Sequence, residues 1–164
     1  MEQLTEIIKR LIAAKVEFSL IGGLASRHYG VSLVTEDVDV CARFTPENLR
    51  RIEGAFKDFH PRHRLTANKL PLELTDELCG RLKNLYLSTD LGILDCLSEV
   101  AGVGDFEAVL KQSELKQFPF GQCYILSIDA LIKAKATVGR PHDLIAVTQL
   151  TAIKEKQGQQ RDLF

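Results

Sequence analysis

Residues 21–40, IGGLASRHYGVSLVTEDVDV, leave this chain few ways to fold. VEFSLIGG predicts a short strand stopped by Gly22 and Gly23. LASRHYG carries on from the glycines as a helix to Gly30, and DVDVCARF predicts a second strand. Side chains two apart on a strand share a face, so Asp37 and Asp39 lie side by side and repel unless something positive sits between them. A divalent cation meets that need. The plain structural alternative is a polar edge strand or turn, extended by Glu36.

The rest of the pattern supplies a scaffold. LTEIIKRLIAA sets Leu4, Ile7, Ile8, Leu11 and Ile12 at helical spacing, which predicts an amphipathic first helix. In FTPENLRRIEGAF, Thr45 suits an N-cap and Pro46 the first helical position, for a helix to about Phe59. Residues 60–80 are punctuated by Pro61, Pro71 and Gly80 and stay open apart from a short helix near LTDEL. RLKNLYLS and LGILDCLSEV predict two strands joined by a turn at Thr89 and Asp90, and CYIL an edge strand. Ser127 caps a helix over IDALIKAKATV, Gly139 and Pro141 hand over to a second over PHDLIAVTQLTAIKEK, and the tail GQQRDLF is expected to fray.

At 164 residues and 45% hydrophobic content, one substantial core is the expectation. The order of elements predicts an α/β (α+β type) domain over 1–164, with core sheet and helices over about 1–126 and C-terminal helices over about 127–157. No run of about eighteen apolar residues is present, and MEQLTEIIKR carries acid and base too early for a secretory signal. A soluble, cytoplasmic protein with no membrane partner is expected.

Cys41, Cys79, Cys96 and Cys123 are scattered, which argues against a zinc cluster or redox dithiol. His60 and His63 are separated by Pro61, which disfavours a helical metal pair. The net charge of −1 hides an asymmetry: residues 42–70 hold seven Lys/Arg against three Asp/Glu, and residues 71–110 two against eight. The basic stretch with Arg50, Arg51, Lys57, Arg62, Arg64 and Lys69 is a candidate for meeting phosphates, or else a solvated face.

Gly22 and Gly23 open a helix whose unpaired N–H groups suit a polyphosphate. Thirteen residues separate Gly23 from Asp37, and Asp95 stands alone in the apolar run GILDCL, where a charge needs a partner. With these pieces in this order the chain resembles the nucleotidyltransferase-like superfamily, the fold of DNA polymerase beta, and within it small bacterial nucleotidyltransferase-like proteins related to abortive-infection toxins. That family's motif is a hydrophobic residue, Gly-Gly or Gly-Ser, about a dozen residues, then Asp-hydrophobic-Asp on the next strand and a third carboxylate on a later one. The resemblance covers most of the chain outside about residues 60–80.

The resemblance implies a mixed sheet flanked by helices and a two-metal site in which Asp37, Asp39 and Asp95 bind Mg²⁺, or Mn²⁺ in its place, and carry catalysis. It implies nucleotide binding by Gly22, Gly23, Ser26, Lys135, Arg140 and Asp143. Gly23 stands where relatives often have serine, and Ser26, one helical turn on, could partly replace that hydroxyl, although a solvent-facing serine is the favoured reading. His142 stands where a lysine is often seen. Each position also has a plain structural reading: a hydrogen-bonded buried carboxylate at Asp95, an ordinary turn at the glycines, and helix-end charges at Lys135, Arg140 and Asp143.

The expected activity is therefore transfer of a nucleoside monophosphate from a nucleoside triphosphate such as ATP to a hydroxyl of a small molecule, a protein or an RNA 3′ end. Two alternatives stay open. One is a toxin-type transferase acting on RNA and silenced by an antitoxin-like partner; the other is an inactive nucleotide-binding module of the same fold. A homodimer is a further possible arrangement.

Overall fold

The computed structural model describes residues 1–162 of the chain. Helix α1 (Glu2–Ala13) buries Leu4, Ile7, Ile8 and Leu11, one face of a 3.6-residue repeat. Strand β1 (Phe18–Ile21) is buried along its whole length. Helix α2 (Gly22–Tyr29) follows without a break and ends at Gly30, whose left-handed backbone closes the helix. Strand β2 (Asp37–Ala42) leads to α3 (Pro46–Phe56), where the Thr45 hydroxyl accepts from the Asn48 N–H. The last residues of the expected helix, Lys57–Phe59, tighten into a 3₁₀ turn.

The stretch 60–80 contains the two-residue strand β3 (Arg62–His63) and α4 (Asp76–Arg81), the latter capped by Thr75. Strands β4 (Asn84–Thr89) and β5 (Gly92–Leu97) form a hairpin, whose turn is tied by Thr89 accepting from the Leu91 N–H and donating to the Gly92 carbonyl. A small ribbon of β6 (Glu99–Val100) and β7 (Gly104–Asp105) precedes α5 (Phe106–Lys111), then β8 (Ser113–Phe118) and β9 (Gly121–Leu126). Helices α6 (Ile128–Val138) and α7 (Pro141–Asp162) close the chain, with the Ser127 hydroxyl capping α6.

Seven strands form one mixed sheet in the order β3-β4-β5-β2-β1-β9-β8. The β2–β5 and β1–β9 pairs are parallel, and the other pairs are antiparallel. Helices α1 and α3 pack together, α1 reaching β2, β5 and β9, while α2, α6 and α7 form a second group. Their apolar side chains join the inner strands in one buried cluster that includes Phe56, Leu87, Leu94, Ile125 and Leu150. The mixed sheet flanked by helices is the expected fold class.

Two expectations are corrected. CYIL lies in β9, between β1 and β8, so it is an interior strand; the edge is SELKQF in β8, whose outward polar residues give no strand-like apolar alternation. The tail expected to fray from residue 158 is helical through Asp162, because glutamine and arginine favour helix and one Gly158 costs only about 1 kcal/mol. Residues 163–164 of that tail lie outside the described residues.

Asn48 fastens α3 to the sheet. Fully buried, it accepts from the Glu17 N–H at 2.8 Å and donates through Nδ2 to the carbonyls of Glu17 at 3.0 Å and Arg43 at 2.8 Å. Asn48→Ala is expected to cost about 2–4 kcal/mol by stranding buried backbone groups. Urea unfolding checks this as a lowered midpoint with an unchanged slope.

Candidate active site

The parallel pairing of β2 with β5 sets Asp39 opposite Asp95, and Asp37 starts the same strand two residues earlier. One carboxylate oxygen from each of Asp37, Asp39 and Asp95 lies within 4.8 Å of the other two. Three acids far apart in sequence thus share one spot on the sheet. They face a cleft of about 710 Å³ whose other walls include Gly22, Gly23, Arg64, Lys135 and Arg140.

Both glycines are required sterically. Gly22 takes a φ of +65°, and a Cβ there would overlap the Asp39 carboxylate. A Cβ on Gly23 would lie 2.6 Å from Thr35 Oγ1, the hydroxyl that donates to Asp37 Oδ1 at 3.2 Å. The backbone at the start of α2 therefore packs directly against the side chains of Asp39 and Thr35. Ser26 is buried, not solvent-facing, and its hydroxyl donates to the Gly22 carbonyl at 3.0 Å.

Crowding shows in the electrostatics. Burial, then the charges of Asp37 and Asp95, push the Asp39 carboxyl up to about 7, although Lys135 and the Gly23 N–H pull the other way. The cluster holds a surplus of negative charge, and every donor in it is an oxygen. Such a set fits a hard divalent cation such as Mg²⁺.

On the far wall Asp143, buried, gathers two cations. Arg140 Nε donates to its Oδ2 at 2.7 Å and Nη2 to its Oδ1 at 3.4 Å, while Lys135 Nζ lies 3.7 Å from Oδ1. Burial pushes the Asp143 carboxyl up, but the hydrogen bond and charge of Arg140, with Lys135, outweigh it and hold it below the usual range. Asp143 therefore holds the cations in place, and His142 lines the same cleft.

Sequence reasoning left Arg64 without a specific place. Its guanidinium donates through Nε to Asp95 Oδ1 at 2.9 Å and through Nη2 to Oδ2, and that hydrogen bond keeps Arg64 firmly charged, with Asp37 and Asp39 adding to the effect. The readable signal was Asp95, an acid in an apolar run in need of a partner. The other arginines of the basic stretch are engaged elsewhere: Arg50 pairs with Asp76, Arg51 with Glu47, and Arg62 donates to the Lys69 carbonyl. His60 pairs with Asp90 instead of joining His63, and the four cysteines are buried and free. No helix among the described residues is long and apolar enough to cross a membrane.

No protein-family model and no curated protein sequence matches the chain. Solved structures do match its fold. The lincosamide antibiotic adenylyltransferase LnuA, lincomycin-bound, aligns with a TM-score of 0.65 at 13% identity, over 93% of this chain and 97% of that one. ANT(2″)-Ia in complex with adenylyl-2″-tobramycin aligns at 0.55 and 15% identity, over 99% and 98%. JHP933 from Helicobacter pylori aligns at 0.52 and 17% identity, over 91% of this chain and 63% of its own.

The displaced Asp39 titration has a measurable sign. In the folded, metal-free protein Asp39 binds its proton up to about pH 7, against 3.8 for the ordinary group, so stability falls as pH rises between those values. Asp39→Asn in chelator is expected to flatten that slope and to add about 1–2 kcal/mol at pH 8. Denaturant unfolding across pH compares the two proteins.

Proposed function

From a nucleotidyltransferase-like fold with three clustered carboxylates, we propose that the chain transfers a nucleoside monophosphate from a nucleoside triphosphate to a hydroxyl acceptor. The observation that carries the proposal is the convergence of Asp37, Asp39 and Asp95 beside the Gly22–Gly23 turn.

In this reading the three aspartates hold Mg²⁺, or Mn²⁺ in its place. Bound there, the metal supplies stabilisation for the charge that builds on the oxygens at both ends of the displacement. The N–H groups at the start of α2, with its dipole, take the terminal phosphates. Lys135 and Arg140, fixed by Asp143 on the facing wall, neutralise the triphosphate. The acceptor oxygen bonds to the α-phosphorus as the bond to the β-phosphate bridge breaks, and pyrophosphate leaves. The hydroxyl proton passes to a carboxylate oxygen of Asp95, which the pairing of β5 with β2 sets beside Asp39 at the cleft.

A small molecule is the favoured acceptor. LnuA and ANT(2″)-Ia, which match this chain over nearly their full lengths, hold lincomycin and adenylyl-2″-tobramycin respectively.

Incubation with α-labelled triphosphates, Mg²⁺ and a panel of hydroxyl-bearing small molecules tests the proposal. Label transfer with pyrophosphate release is expected, and Asp37→Ala should lower the rate at least about a hundredfold while the protein still melts cooperatively. A wild-type protein that binds no triphosphate, or turnover that survives Asp37→Ala, would overturn it.

A further inference from the structure

Asp95 meets the cleft with its carboxylate already engaged. The two bonds from Arg64 form a fork-on-fork pair that uses one acceptor position on each oxygen. The pair is lopsided: the Asp95 side chain is 9% exposed and that of Arg64 26%. Arg64 is anchored at its base, its N–H donating to the Tyr86 carbonyl at 3.0 Å and its guanidinium lying 5.5 Å from the centre of the Tyr86 ring. It directly follows β3, two residues long at the edge of the sheet. Its backbone is fixed, while the end of a long side chain has the open cleft beside it.

Two kinds of cation compete for the same oxygens. A divalent ion shared by the three aspartates would bring a double positive charge against the guanidinium, and the two repel. The displaced guanidinium then needs an anion, and its planar fork matches phosphate oxygens as well as it matches carboxylate.

We propose that Arg64 is an exchangeable counter-cation: it occupies Asp95 in the cation-free site, yields it to a divalent ion, and passes to a phosphate of the incoming nucleotide. The competition at Asp95 stands by itself, and the transfer to phosphate rests on the function proposed above. Arg64 is then a positioning residue that couples the two ligands. Each binds more tightly once the other is present.

Binding of Mn²⁺ alone, followed by electron paramagnetic resonance, and of triphosphate in Ca²⁺, followed by calorimetry, separates this role from a structural one. Arg64→Gln keeps a donor for Asp95 and removes the charge. It is expected to tighten Mn²⁺ by about tenfold and to weaken triphosphate by about tenfold, opposite shifts that a loosened site does not give. Should Arg64→Gln fail to melt cooperatively, Arg64→Lys, which keeps the charge and loses the fork, should move Mn²⁺ affinity in the same direction by less. Mn²⁺ affinity unchanged or weakened in the folded variant overturns the exchange. A wild-type protein that binds Mn²⁺ and no triphosphate overturns instead the proposed function and the phosphate half of this inference.

Discussion

Three like charges held against one another are the central constraint of this molecule. Nothing local would bring Asp39 and Asp95 together, since their mutual repulsion opposes it. The register of β2 against β5 does so, and apolar burial sets that register. Val38, Val40, Leu94 and Cys96 are fully enclosed, and a slip of one residue would turn them toward the cleft and the acids into the core. Core packing thus supplies the free energy that holds the acids in an electrostatically costly arrangement.

The compensating charges come from separate parts of the chain. Arg64 reaches Asp95 from just beyond the edge strand, Lys135 acts on Asp39 from α6, and the Gly23 N–H reaches Asp39 from the start of α2. Each offsets part of the repulsion, and Asp39 still stands at about 7.

The legible parts of the sequence were those where local chemistry and tertiary role agree. Gly22 stops a strand and also admits Asp39 beside it, and Thr45 and Ser127 are caps whatever they pack against. Asp95 was readable as an anomaly, a charge among apolar neighbours. Arg64 was not, because one arginine in a basic, proline-broken stretch looks like any other until β3 pairs with β4 and aims it inward. Strand β8 was missed for a related reason: at a sheet edge both faces of SELKQF meet solvent over most of its length, and the alternation that marks a half-buried strand is lost. The end of α7 failed by overreading Gly158, a local penalty that the flanking helix formers absorb.

The two walls of the cleft differ in how their charges are fixed. On the α6–α7 side a buried acid, Asp143, holds Lys135 and Arg140, so the wall presents cations whose positions are set within the protein. On the sheet side the acids outnumber their partners, and the cation that serves Asp95 comes from outside the helical group. A ligand that satisfies both walls must carry anions toward the first and a cation toward the second. A metal-bound polyphosphate has that polarity. An organic cation alone would leave Lys135 and Arg140 facing like charge, and a bare anion would meet the unbalanced carboxylates.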